Sequence, residues 1–222
     1  MVLKNFKKLS RKVAFCVVFC GALIATSVNQ SFAGEQVNFA KKLVGEVMDL
    51  MGDTKTPSSV KKQKLVDKYL NVIDFEWNGK MAMGRAYNTL NDDEKKQYIK
   101  EYTKFLAYTW LPKLEFPSKK SAIKVNIFGT YKKLNNTDEM VVIELKLADG
   151  SKYEINVRVR DKDGKCTLLN VDVVGIDLAM TYRAQFEGIM EQNGGRPQSV
   201  IKYLEKQNAK NQKKADFVVN IK

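Results

Sequence analysis

Two short acidic clusters and one cysteine are the residues whose types and spacing suit chemistry: Asp92-Asp93-Glu94, Asp161-x-Asp163 and Cys166. Clustered carboxylates can hold a metal ion or divide acid–base work, and a strand cysteine can act as a nucleophile. The 222-residue chain, however, contains no histidine. That removes Ser-His-Asp and Cys-His triads, imidazole metal ligands and histidine general bases. Nothing evident then activates Cys166, and a buried inert thiol accounts for it. Helix capping explains residues 92–94, and turn chemistry explains Asp161-x-Asp163. Gly-x-Gly-x-x-Gly, Walker, Gly-x-Ser-x-Gly and EF-hand patterns are all missing. The sequence gives no positive reason for catalysis.

It does carry an aromatic and apolar excess. Tyr102, Phe105, Leu106, Trp110, Leu114 and Phe116 fall within one short stretch, ahead of a region rich in Ile and Val. Such a stripe is commonly core. A wedge between helices and a curved sheet can also enclose an apolar cavity that holds a lipid or another hydrophobic ligand.

The elements that must position these residues follow from periodicity. Ala40, Leu43, Val44, Val47 and Met51 recur at helical spacing from Gln36 to Met51. Thr56-Pro57 opens a second helix through Leu70, and a third, short one runs from Asp74 to about Arg85. Asn91 with Glu94 reads as a capping box for a fourth, which Pro112 and Pro117 end. From Ile123 to Val174 the period changes to two, giving antiparallel strands with one apolar face and turns at Asp149-Gly150 and Asp163-Gly164. A helix over Ala179 to Ile189 ends at Gly194-Gly195, and Pro197 opens a shorter one. Residues 205–222, lysine-rich and polar, read as a loose tail. Helices, then sheet, then helices make an α+β fold: helices packed on one face of a curved antiparallel sheet of four or five strands, enclosing an apolar cavity.

The N-terminus reads as an export signal. Lys4, Lys7, Lys8, Arg11 and Lys12 precede an uncharged, mainly apolar run of 13 residues, Val13 to Ala25, and Ser31-Phe32-Ala33 offers a cleavage site. The run is short of the roughly 20 residues a spanning helix needs. Cleavage after Ala33 leaves a single domain over 34–204 with its tail, lowers the net charge from +13 to +8, and removes Cys16 and Cys20. Cys166 alone remains, so the mature chain has no internal disulfide. Its lysines come in scattered pairs with no RNA-binding signature, which argues against nucleic acid. An anionic membrane surface or an acidic partner is the natural counterpart, and a face kept basic for solubility is the alternative.

Two blocks carry a family resemblance. Met83-Gly84-Arg85-Ala86-Tyr87 with Asn91 to Tyr98 and Phe105 to Trp110 resembles the first signature of the MlaC (toluene-tolerance) family. Val173-Val174-Gly175-Ile176-Asp177-Leu178-Ala179-Met180-Thr181-Tyr182-Arg183-Ala184-Gln185-Phe186 resembles its second, after the last strand. Trp110 stands where that pattern has tyrosine, and Asp177 where it has serine, an exchange that keeps an N-cap. Cys166, Asn170 and Val174 replace the pattern's tryptophan, aspartate and glutamate.

The resemblance implies a periplasmic phospholipid carrier without catalytic group, metal or cofactor, whose cargo is the lipid itself. Its implied partners are an inner-membrane ABC transporter with an MCE-domain lipid-binding subunit and an outer-membrane lipoprotein complex. Two acyl chains, at about 0.8 kcal/mol per buried methylene, favour a dry apolar cavity. Its expected walls are Phe105, Leu106, Trp110, Leu114 and Phe116 on the helical side and Ile127, Ile143, Leu145, Ile155 and Val157 on the strands. Arg183 is the basic residue that meets a phosphate or a partner's carboxylate, unless a structural salt bridge occupies it. Two rivals stand beside this: an α+β hydrolase or isomerase using a carboxylate whose pKa burial raises, and a non-catalytic envelope interaction protein.

Overall fold

The computed structural model describes residues 34–113, 123–147, 152–173 and 176–221. The signal segment 1–33, Leu114, Phe116 and the Asp149-Gly150 turn lie outside these. Six α-helices are described: α1 (Glu35–Gly52), α2 (Ser58–Val72), α3 (Phe75–Met83), α4 (Asp92–Trp110), α5 (Leu178–Glu191) and α6 (Gln198–Gln212). Single 3-10 segments, Gly84–Thr89 and Leu111–Lys113, flank α4. The strands are β1 (Ile123–Lys133), β2 (Asp138–Leu147), β3 (Lys152–Lys162), β4 (Lys165–Val173) and the two-residue β5 (Ile176–Asp177). The α+β class follows directly.

The chain forms two compact units, each assembled from two stretches of sequence. The first holds the described residues up to Lys61 and the strands β1–β4. Its strands pair antiparallel in chain order, with Ile127, Ile143, Ile155 and Val173 side by side across the ladder and Val141, Val157 and Val171 beside them. Residues directly opposite one another share a face, so these positions make one apolar face. Bulges in β1 between Phe128 and Tyr131, and in β4 opposite Arg158 and Val159, bend the strands. Helix α1 lies against all four strands and buries Val37, Ala40, Leu43, Val47 and Met48. Its N-terminus is tied to the sheet by Gln36, whose Nε2 donates to the Thr137 carbonyl at 3.5 Å.

The turn between β3 and β4 shows why Asp163-Gly164 was legible. Both residues have positive φ, 55° and 79°, as a two-residue hairpin with right-handed twist requires. The Asp161 carboxylate accepts from the Gly164 N–H at 3.0 Å, so that acidic pair is turn chemistry.

The second unit runs from Lys62 to Lys113 and resumes at Ile176. Its core is aromatic: Tyr87, Tyr98, Tyr102, Phe105, Tyr182 and Phe186, closed by Val200, Ile201 and Leu204 of α6. The Asn91–Glu94 capping box is present, with bonds of 2.9 Å in both directions. Asp92 and Asp93 pair with Lys95 and Lys96 one turn on. Helix α3 approaches α4 closely at Gly79, whose carbonyl accepts from the Tyr98 hydroxyl at 2.9 Å. A Cβ at Gly79 would stand 2.7 Å from Ile99 Cδ1, so no larger residue fits without a shift.

Two expectations need correction. Helix α2 begins at Ser58, one residue later than the Thr56-Pro57 reading. The loose tail from residue 205 is instead helix through Gln212, followed by a packed segment. There Phe217 stacks on Tyr108 with ring centroids 5.6 Å apart, Val219 is buried, and Asp216 pairs with Lys62 at 3.0 Å.

Candidate functional site

The residues expected to wall a cavity fall in both units. On the sheet, Ile143 and Val157 are 2% and 9% exposed, and Ile155 is similarly buried. All three sit on the apolar face, with Val141 and Val159. Ile127 and Leu145 occupy strand positions in register with that face, and their side chains lie outside the described ones.

The opposite face carries the polar residues. Asp138 is fully buried, and its carboxylate accepts from Arg158 Nη2 at 2.6 Å and Arg160 Nε at 2.8 Å. Burial alone would raise its pKa. The Arg160, Arg158 and Thr137 bonds outweigh that and hold the carboxyl well below its usual range. This is an ion-pair strut on the sheet, built from a carboxylate that sequence reasoning did not single out. The signal existed: polar or charged residues recur at every second position of β3, on the face away from the apolar one.

In the second unit Phe105 is core. Its ring meets Tyr182 edge-on at 5.3 Å and Tyr203 at 6.2 Å. Leu106 packs partly buried against the same cluster. Trp110 is half-buried; its Nε1 donates to the Tyr182 hydroxyl at 2.7 Å, and the Lys113 ammonium lies 4.7 Å from its ring centroid. Burial lowers the Lys113 pKa. The Trp110–Tyr182 bond was not anticipated, because nothing local links residues 72 positions apart.

Arg183 is occupied. Its guanidinium lies over Gly84, where a Cβ would come within 2.7 Å of Nη2. Gly84 has φ +65°, so glycine is required there by conformation and by space. Nε is buried without a hydrogen bond, while Glu187 stands at the ion-pair limit of 4.0 Å. Asp177 caps α5, its carboxylate accepting from the Met180 N–H at 2.9 Å. The two signature blocks therefore meet in space, Gly84 against Arg183 and Trp110 against Tyr182. The motif is a packing signature of the second unit.

Among the described residues, Asp53, Glu94 and Asp138 are the carboxylates whose pKa moves, and all three move down, opposite to what a general acid needs. Burial pushes the Cys166 thiol up to about 11, which leaves it protonated and unreactive. Among the described residues no cluster of His, Cys, Asp and Glu could hold a metal ion, and no helix is long and apolar enough to cross a membrane.

No curated protein matches the chain. Among solved structures, the phospholipid-binding protein from Ralstonia solanacearum, determined in complex with a phospholipid, is similar in fold. Its TM-score is 0.58 at 21% identity, covering 81% of this chain and 94% of that one. The family model for MlaC protein matches residues 41–206, from α1 into α6 and through both signature blocks, and on that match the chain belongs to the MlaC family.

Proposed function

We propose that this protein binds a phospholipid by its acyl chains and carries it through the periplasm between the outer membrane and an inner-membrane ABC transporter. The observation that carries the reading is a fold shared with a protein that holds a phospholipid, within a family whose model spans both units. The apolar sheet face supports it chemically. Ile143, Ile155 and Val157 present branched aliphatic surface with no charged residue among them, and each buried methylene of an acyl chain contributes about 0.8 kcal/mol. We assign the acyl contact to that face, with Ile127 and Leu145 in the same register. Leu106 and Trp110, part-exposed at the margin of the aromatic core, are further candidates, whereas Phe105 is committed to the core. Arg183 serves packing against Gly84 in preference to a headgroup. Export by a signal cleaved after Ala33, and partnership with an MCE-domain subunit and an outer-membrane lipoprotein complex, belong to the same proposal.

The test is direct. Protein purified from a bacterial periplasm without detergent is extracted with organic solvent, and bound lipid is identified by mass spectrometry. Near-stoichiometric phospholipid is expected, with a mature N-terminus at Gly34. Leu145→Arg and Val157→Arg should each lose the lipid while keeping the circular dichroism of the fold. A folded wild-type protein that is repeatedly empty would overturn the reading.

A further inference from the structure

Helix α6 carries four exposed lysines, Lys202, Lys206, Lys210 and Lys213, the last at its C-cap. At about 100° per residue they fall within an arc of about 80° and extend over about 16 Å along the axis. The opposite face is fixed. Val200, Ile201 and Leu204 are buried in the aromatic core, and Asn208 Nδ2 donates to the Glu101 carbonyl and carboxylate at 2.8 Å. The stripe is therefore presented by a rigid rod.

Its charge is unspent, in contrast to other lysines of the same unit. Lys62, Lys80, Lys95, Lys96 and Lys104 each have a carboxylate partner. Among the described residues, none of the four α6 lysines does. The sole acidic residue of α6, Glu205, is engaged by Gln97, which donates to it at 2.7 Å. Exposed lysines on a helix usually gain a partner one turn away; here Glu205, three residues from Lys202, is the one acid of α6, and it bonds Gln97 instead.

We infer that this lysine stripe is a docking surface for an anionic phospholipid bilayer. The residue choice decides between a bilayer and an acidic protein. Protein interfaces concentrate aromatic residues and arginine and are depleted in lysine, whereas the stripe has lysine alone, with Ala209 beside it and no apolar anchor. Lysine is a flexible point charge, suited to a fluid surface of phosphates that offers no fixed geometry. With no apolar side chain in the stripe, adsorption is electrostatic and reversible, and salt abolishes it. It does not depend on the acyl-chain reading.

The experiment is co-sedimentation of the periplasmically expressed protein with vesicles of mixed phosphatidylglycerol and phosphatidylethanolamine, against neutral phosphatidylcholine vesicles, at low and high salt. Wild-type protein is expected on the anionic vesicles at low salt only. The quadruple Lys202→Gln/Lys206→Gln/Lys210→Gln/Lys213→Gln variant should lose roughly tenfold or more in partitioning, and the corresponding quadruple Lys→Arg variant should keep it. Thermal unfolding confirms that both variants fold. Lipid extracted from the glutamine variant should match wild type, so loss of docking and loss of cargo are read separately. Equal partitioning of the glutamine variant and wild type would overturn the inference. So would failure of the wild type to bind anionic vesicles, including a case where it binds an acidic protein instead.

Discussion

Asp138 is the residue whose chemistry is best defined. Removing the charge of Asp138, a carboxylate with no exposure, leaves Arg158 and Arg160 without the anion that compensates them. Asp138→Asn should destabilise the protein by about 2 kcal/mol at neutral pH, less than a fully buried pair because both arginines remain partly exposed. The sign of the pH dependence follows from the depressed folded-state pKa. The stabilisation is fully present above the unfolded value near 4 and is lost as pH falls through the lower folded value. The gap between wild type and variant, measured by urea titration, should therefore be constant above about pH 5 and narrow below about pH 4. A gap that widens in acid would contradict this account. The partners of Asp138 and Tyr182 were not legible in sequence, since they lie on other elements. Asn91, Glu94, Asp161 and Asp177 were legible because their bonds close within three residues.

At the scale of elements, every helix and strand long enough to repeat its apolar period was readable. The exception is the C-terminal end. Lysine, glutamine and asparagine dominate α6 after Leu204, and only Asn208 continues the buried stripe, so composition pointed to disorder. Phe217 and Val219 are too few to establish a period, yet they are buried. The Gln63 side chain also bonds the Val218 backbone twice, accepting from its N–H at 2.8 Å and donating to its carbonyl at 3.0 Å. Deleting residues 214–222 should therefore lower stability by about 3 kcal/mol, the usual result of removing a buried aromatic side chain, and depress the thermal midpoint by several degrees. An unchanged midpoint would mean that the segment adds nothing.

For the molecule as a whole, the α+β class and the family were readable from two ordered blocks around a run of alternating strands. The division into two units was not. It depends on the chain leaving the first unit within α2, returning to it for the sheet and departing again before α5, a path that periodicity does not record. Each unit is thus completed by segments far apart in sequence. Residues 34–113 expressed alone contain α1 without its strands and α4 without α5 and α6, and should show no cooperative thermal transition. A sharp transition in that fragment would refute the discontinuous organisation.

The same discontinuity bears on how the protein is made. While the ribosome is still translating β4, the aromatic face of α4 has emerged but Tyr182, Phe186 and Leu204, which close it, have not. The nascent chain can complete its sheet early, but the second unit waits for the segment that begins at Ile176. Contacts of such long sequence separation also form slowly. Until those C-terminal helices arrive, the second unit leaves an aromatic face uncovered, and association with other chains competes with folding in that interval.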